Sequence, residues 1–291
     1  MTDDARIALV GFGEAAHAFL DGWGLAGGGV CAYDLKLLDP ATTEAFAARC
    51  RAAGVVPCPD PAQALAGADL VLSLVTADQA LAAAEALARH IAPGALWLDG
   101  NSCSPGAKRA AAAAVEDAGG RYVDMAIMAP VHPRRHLTPV LLAGPAAAAA
   151  AGRLAALGMV PGLAGDRVGD ASTIKMLRSV MVKGFEALAA ECVLAARRAG
   201  VEGPVLASLQ ASDPGFDWTA RAAYNLERMM VHGTRRAAEM REVAATLREL
   251  GLPDRLALAT AEWQAQIGAL GLAGGEDGLV GRADRILDRL G

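Results

Sequence analysis

Arg6-Ile-Ala-Leu-Val-Gly-Phe-Gly-Glu-Ala-Ala16 is the stretch whose reading decides the fold. Its first five residues, RIALV, read as a buried strand, and the run HAFLDGW (17–23) that follows reads as a helix. Between them stands GxGxxA, at the place where a dinucleotide-binding turn has to be. The first glycine makes the tight turn and the second lets the backbone come close to a pyrophosphate. The small Ala16 lets the helix pack near the strand, and the helix N-terminus faces the phosphates. Gly11, Phe12, Gly13, Glu14 and Ala15 are therefore the candidate cofactor contacts.

The next segments repeat the alternation. After Gly27-Gly28-Gly29, a strand VCAY ends in Asp34, 23 residues beyond Gly11. A carboxylate there can accept hydrogen bonds from an adenosine ribose and disfavours a 2′-phosphate, which points to NAD. Lys36, two residues on, could approach a 2′-phosphate, so NADP is the alternative. A helix over 41–53, a strand Val55-Val56 and a short helix PAQALAGA (61–68) follow. DLVLSLV (69–75) reads as a strand ending at Thr76, then a helix covers 78–91, and ALWLD (95–99) leads into Gly100-Asn101-Ser102-Cys103-Ser104-Pro105. Further strands fit Tyr122–Ile127, Pro139–Ala143 and Met159–Leu163. Strands separated by helices imply a doubly wound, mostly parallel α/β sheet with its ligand at the strand C-termini. Thr76, Asn101 and Ser102 fall at such ends and should border nicotinamide and substrate, Thr76 and Ser102 on the cofactor side. Asn101-Ser102 also fits a helix cap before Pro105.

Val131-His-Pro-Arg-Arg-His136 is the most cationic short stretch. It fits a clamp for a carboxylate or phosphate through Arg134, and equally a solvated loop. After Gly165 the strand patterns stop. Ala171–Gly200 reads as one long helix, about 45 Å at ~1.5 Å per residue, capped by Asp170 or Ser172 and ending behind Arg197 and Arg198. Its apolar residues Ile174, Leu177, Met181, Phe185, Leu188 and Cys192 recur at helical spacing. Lys175, Ser179 and Lys183 share another side, as a solvated stripe or as a working face. Further helices fit roughly 202–211, 216–231, 234–250, 254–270 and 281–290, with breaks at Asp213-Pro214-Gly215, Gly233, Gly251-Leu252-Pro253 and Gly271–Gly278. The expected division is 1–168, a dinucleotide-binding domain, and 169–291, an all-α domain for substrate binding and dimerisation.

The chain has 291 residues, is 54% apolar and carries a net charge of −5 without a long basic run, which argues against nucleic-acid and membrane-surface partners. Five cysteines without a CxxC pair fit reduced, buried thiols and a cytoplasmic setting. MTDDARIALVGFG enters a strand pattern almost at once, leaving no room for a signal peptide. No metal site is expected, since no His or Cys pair stands at ligand spacing on a helix.

With these residues assembled, the chain resembles the β-hydroxyacid dehydrogenase and 6-phosphogluconate dehydrogenase superfamily over essentially its whole length. Three motifs carry the likeness: IALVGFGEAA; Asp99-Gly-Asn-Ser-Cys-Ser-Pro105, similar to D-x-S-T-x-x-P and to D-G-G-N-S; and Gly169-Asp-Ala-Ser-Thr-Ile-Lys175-Met-Leu-Arg178-Ser179, similar to G-x-G-x-x-x-K-x-x-N-N. The resemblance implies a Rossmann domain joined by a long helix to a helical domain, usually in an interlocked homodimer. It places Lys175 where relatives carry the catalytic lysine, with Asn101, Ser102 and Ser179 on the substrate. Ser179 stands for the usual asparagine, and Asp124-Met-Ala-Ile-Met-Ala-Pro130 lacks the Ser-Gly-Gly of the family's substrate segment. Where relatives carry a later K-D pair, this chain has His232-Gly-Thr-Arg-Arg236-Ala-Ala-Glu239, which makes His232 a substrate-side candidate.

The implied activity is hydride transfer between nicotinamide and a small, anionic hydroxy acid or related carbonyl or alcohol, with Lys175 as general acid/base. A lysine suits that role when burial near other cations lowers its pKa from ~10 toward ~7–8, and Arg178 and Lys183 are the neighbouring cations. Imine reductases share the architecture and reduce C=N. A nucleotide-binding dimer without turnover is the alternative of a different class.

Overall fold

The computed structural model describes residues 6–25 and 29–290. Gly27 and Gly28 of the glycine run, the five residues before Arg6 that enter the reading of the amino terminus, and Gly291 lie outside the described residues. The chain divides into two compact units, Met1–Met176 and Leu177–Gly291.

In the first unit, β1 (Arg6–Val10) passes through the glycine turn into α1 (Glu14–Trp23). The alternation continues through β2 (Val30–Tyr33), α2 (Thr43–Ala52), β3 (Val56–Pro57), α3 (Pro61–Leu65), β4 (Ala68–Ser73), α4 (Ala80–Leu87), β5 (Leu96–Asp99) and α5 (Pro105–Asp117). β6 (Arg121–Ile127), β7 (Val140–Ala143), α6 (Ala147–Ala156) and β8 (Gly162–Gly165) complete it. The strands form one sheet in the order β3-β2-β1-β4-β5-β6-β7-β8. Among the described residues only the β6–β7 pair is antiparallel.

Side chains alternate between two covered faces, as a parallel sheet requires. Leu9, Leu72, Leu98 and Met125 meet Phe19, Phe46 and Leu154 from α1, α2 and α6. Ala8, Val71, Trp97 and Tyr122 meet Leu87 and Val115 from α4 and α5. The doubly wound, mostly parallel sheet is therefore as expected. The last strand is not: it starts at Gly162 rather than Met159. Pro161 has no N–H to give a ladder, and Met159 is buried in the core instead.

α7 (Asp170–Arg198) begins in the first unit and runs on into the second without a break. α8 (Glu202–Ser212), α9 (Trp218–Glu249), α10 (Arg255–Ala269) and α11 (Leu279–Leu290) make that second unit all-helical. Val193, Leu226, Met229, Ile267 and Ile286 lie in its core. The two helices expected on either side of Gly233 are one, since α9 runs through it for 32 residues. Gly233 serves packing, because a Cβ there would run into the Gln264 carbonyl oxygen and the Gly268 backbone of α10.

α7 buries Met176, Ala190, Val193 and Leu194 but leaves several of its expected apolar residues outside. Met181 is 73% and Leu188 66% exposed, and Ile174 and Leu177 are exposed beside them. Ser179, Lys183 and Glu186 are buried, which corrects the solvated-stripe reading for Ser179 and Lys183. In the second unit Lys183 Nζ pairs with Glu239 Oε2 at 2.9 Å and donates to Ser179 Oγ at 3.1 Å. Glu186 is paired with Arg236 and accepts from Gln264 Nε2 at 2.9 Å. Among the described residues no helix is long and apolar enough to cross a membrane.

Candidate active site

The glycine turn sits at the carboxyl end of β1. Gly11 adopts φ +87°, and a Cβ on it would lie 2.6 Å from the Leu74 carbonyl oxygen, so only glycine fits. Leu74 N–H in turn donates to Val10 O at 2.7 Å, bringing the loops after β1 and β4 together. Gly13 is the opposite case, with nothing within 4 Å of where a Cβ would stand. α1 starts there, and among the described residues its first turn, with Glu14 and Ala15, has no side-chain cap. That is the surface a pyrophosphate needs.

The turn is braced from β2 and α2. Asp34 Oδ2 accepts from Phe12 N–H and Oδ1 from Lys36 N–H, both at 3.1 Å. Arg49, which the sequence did not single out, donates to Phe12 O at 3.0 Å. The His17 ring lies 4.0 Å from that of Phe12. Its burial, and then the Arg49 charge, push its pKa below the usual value. Thr76 stands exposed after β4, where its hydroxyl and the Gln79 amide hold the Asp78 carboxyl below the usual carboxylate range.

The turn after β5 carries the second group. Asp99 Oδ1 accepts from the Asn101 backbone N–H at 2.9 Å and from Asn101 Nδ2 at 2.7 Å. Asn101 Nδ2 also donates to Ser73 Oγ at 3.0 Å, which leaves the buried Oδ1 without a partner. Ser104, not Asn101 or Ser102, caps α5, accepting from Ala107 N–H at 3.4 Å. Half-buried Ser102 accepts a hydrogen bond from Lys175 Nζ at 2.6 Å.

Lys175 rides on the first turns of α7, whose start is capped from an unexpected side. Neither Asp170 nor Ser172 caps it with its side chain. Asp124 on β6 does, its Oδ2 accepting from Gly169 N–H at 3.2 Å and Ser172 N–H at 2.9 Å. Beneath lies a charged cluster that the sequence reading missed. Lys108 Nζ donates to the Asp99 carbonyl at 2.5 Å and to Asp99 Oδ1 at 3.0 Å, and lies 3.5 Å from Asp124 Oδ1. Tyr122 OH donates to Asp99 Oδ2 at 2.7 Å. Burial alone would lower the Lys108 pKa, but Asp99 and Asp124 hold it above the ordinary lysine value. Burial, reinforced by Asp99, pushes the Tyr122 phenol well up. One sign was available: Lys108 stands in the first turn of a helix, where a cation opposes the dipole.

The remaining candidates are placed less tightly. Arg134 is exposed in the loop after β6, and no hydrogen bond or ion pair ties it to Lys175 or Ser102 among the described residues. That loop docks on α1 through His136, which fills the space beside Gly22. Ser179 in the second unit gives its oxygen to Lys183, and His232 is half-buried on α9. Arg178 is exposed, and Lys183, two turns further along α7, is neutralised by Glu239.

A strand, an open glycine turn, a helix without a side-chain cap and a strand-end carboxylate are the parts of a dinucleotide-binding site. Residues 6–155 match the NAD binding domain of 6-phosphogluconate dehydrogenase, and residues 196–267 match a domain of unknown function, DUF1932. The chain belongs to the β-hydroxyacid dehydrogenase and 6-phosphogluconate dehydrogenase superfamily, and its cofactor is NAD(P). It is similar to a conserved hypothetical protein from Sinorhizobium meliloti, with 40% identity, coverage of 99% and 97% of the two chains and TM-score 0.75. A second relative, of unknown function, is described as structurally similar to 3-hydroxyacid dehydrogenases; it is 30% identical, with coverage of 92% and 100% and TM-score 0.66. The Mycobacterium tuberculosis 3-hydroxyisobutyrate dehydrogenase shares the fold at 17% identity, with coverage of 97% and 98% and TM-score 0.71. No curated protein matches the sequence.

Proposed function

We propose that this chain is an NAD(P)-dependent oxidoreductase that moves a hydride between nicotinamide and the carbinol carbon of a small hydroxy acid. Lys175 is its general acid/base. The observation that supports this is the 2.6 Å hydrogen bond between Lys175 Nζ and Ser102 Oγ, at the end of the sheet where the glycine turn also lies. Bound NAD(P) supplies the hydride acceptor or donor, held at Gly11, Phe12, Gly13, Glu14 and Ala15, with Asp34 toward the ribose and Thr76 and Ser102 nearer the nicotinamide.

In the oxidation direction, neutral Lys175 takes the proton of the substrate hydroxyl as the carbon–hydrogen bond breaks. In the reverse direction, its ammonium returns that proton to the carbonyl oxygen. Ser102 keeps the amine in place, and Asn101 remains a proposed substrate residue on the strength of the motif, holding the turn beside Ser102 through Asp99. Ser179, Arg134 and His232 remain proposed substrate residues on the strength of the motif and of charge. Arg134 is proposed for the anionic end. The exposed face of α7, with Leu177, Met181 and Leu188, supports a homodimer through the helical unit, which light scattering on the purified chain measures.

The test is turnover of a panel of 2- and 3-hydroxy acids, with a cyclic imine beside them. Lys175→Met should lower kcat by ~10²–10⁴-fold while nucleotide still binds. Retention of more than about a tenth of wild-type turnover rejects the lysine's role. Turnover of the imine alone makes the protein a C=N reductase, and nucleotide binding without any turnover makes it a non-catalytic binder.

A further inference from the structure

A fully buried lysine needs an explanation. Lys108 is 0% exposed, and taking an ammonium out of water costs several kcal/mol before any partner is counted. A methionine of similar length would fill the same volume without that cost. What the charge does is visible in its partners. Asp99 and Asp124 are direct register neighbours across β5 and β6, so two carboxylates face one another inside the protein. Lys108 Nζ stands between them, 3.0 Å from one and 3.5 Å from the other.

Each carboxylate holds a different piece of the candidate site. Asp99 fixes the turn that carries Ser102, by accepting from the Asn101 N–H and side-chain amide. Asp124 fixes the start of the helix that carries Lys175, by accepting from the Gly169 and Ser172 amides. The Lys175–Ser102 hydrogen bond spans the two pieces. We propose that Lys108 is a positioning residue that sets the Ser102-to-Lys175 distance, by tying the carboxylate under the turn to the carboxylate under the helix start. The proposal rests on the reading of Lys175 as the acid/base group. Without the ammonium the two carboxylates repel, and the turn and the helix start lose their common anchor. A displacement of ~1 Å in such a pair is worth ~10²-fold in rate.

The experiment replaces Lys108 by Met in the full chain and reads two things. The first is amide hydrogen exchange, which needs no activity. Asn101, Gly169 and Ser172 should exchange at least ~100-fold faster, while amides in β1 and β4 keep wild-type rates. The second is kcat per nucleotide-binding site, which should fall ~10- to 100-fold with the KM for nucleotide unchanged, a split that loss of folded protein alone does not produce. Wild-type exchange at those three amides overturns the proposal whatever kcat does, and so does fast exchange with kcat within about twofold of wild type.

If wild type itself turns over nothing in the panel, the proposed function fails and the exchange measurement alone decides this one. Should Lys108→Met not fold, Asp124→Asn and Tyr122→Phe take its place. The first should release Gly169 and Ser172, the second Asn101, each with a lower kcat. Unchanged exchange in both overturns the tie.

Discussion

Gly11 lies edge-on against Leu74, so close that a Cβ would sit 2.6 Å from the Leu74 carbonyl oxygen, whereas Gly13 two residues later faces open space. The two glycines of one motif therefore answer differently to the same substitution. Gly11→Ala must accept φ +87° as well as the contact, and should lose at least ~2 kcal/mol of stability. Gly13 has ordinary extended backbone, φ −97°. Gly13→Ala should unfold within ~0.5 kcal/mol of wild type while binding NAD(H) at least ~10-fold more weakly, since its methyl takes the room of a pyrophosphate. Chemical denaturation and nucleotide titration of both variants check this; wild-type affinity in Gly13→Ala would place the phosphates elsewhere.

Asp34 closes the nucleotide end. Its carboxylate already accepts from the Phe12 and Lys36 amides, and its remaining lone pairs suit ribose hydroxyls and repel a 2′-phosphate. The ratio of kcat/KM for NAD over NADP should exceed one in wild type and drop at least ~10-fold in Asp34→Ser. A wild-type preference for NADP would give Lys36 and Arg49 the deciding role instead.

Gly233 and Gly268 set the closest approach of α9 and α10. In an open helix, Gly→Ala adds up to ~1 kcal/mol of stability. Here the new methyl meets backbone on the neighbouring helix, so Gly233→Ala should destabilise by ~1–3 kcal/mol. A raised thermal midpoint would mean that the helices stand further apart than described.

All five cysteines are free, and four are buried: Cys31, Cys50, Cys58 and Cys103. Cys192 is exposed, against the expectation that every thiol is inside. In the monomer, iodoacetamide at pH 8 should modify Cys192 first and the others only on unfolding, as peptide mass spectrometry would show; a dimer through the exposed α7 face should slow Cys192 as well. Burial pushes both Cys50 and Cys58 up to about 11, from 9.0. Between those values the unfolded thiols release protons that the folded ones keep. Stability should therefore fall as pH rises from 9 toward about 11, and these two thiols should not alter it below 9.

The sheet was legible because its signals are local. RIALV followed at once by GFGEAA, and DLVLSLV followed by a polar strand end, need no distant partner to be read. Lys108 was illegible because its meaning lies in Asp99 and Asp124, which only strand pairing brings level. The same holds for the cap of α7: Asp170 and Ser172 were the near choices, and Asp124 supplies it from 45 residues away. Gly233 was misread for a related reason. Sequence shows that a glycine weakens a helix, but not that a second helix backbone has taken the vacated space. The position of Ser102 beyond the end of β5 was legible, while its hydrogen bond with Lys175 required the fold.

The division between the two units falls inside α7, after Met176. A chimaera built from two relatives by joining them at that point would inherit Lys175 from one parent and Ser179 from the other. A splice that adds or removes one residue there turns the α7 residues that follow by about 100° around the helix axis.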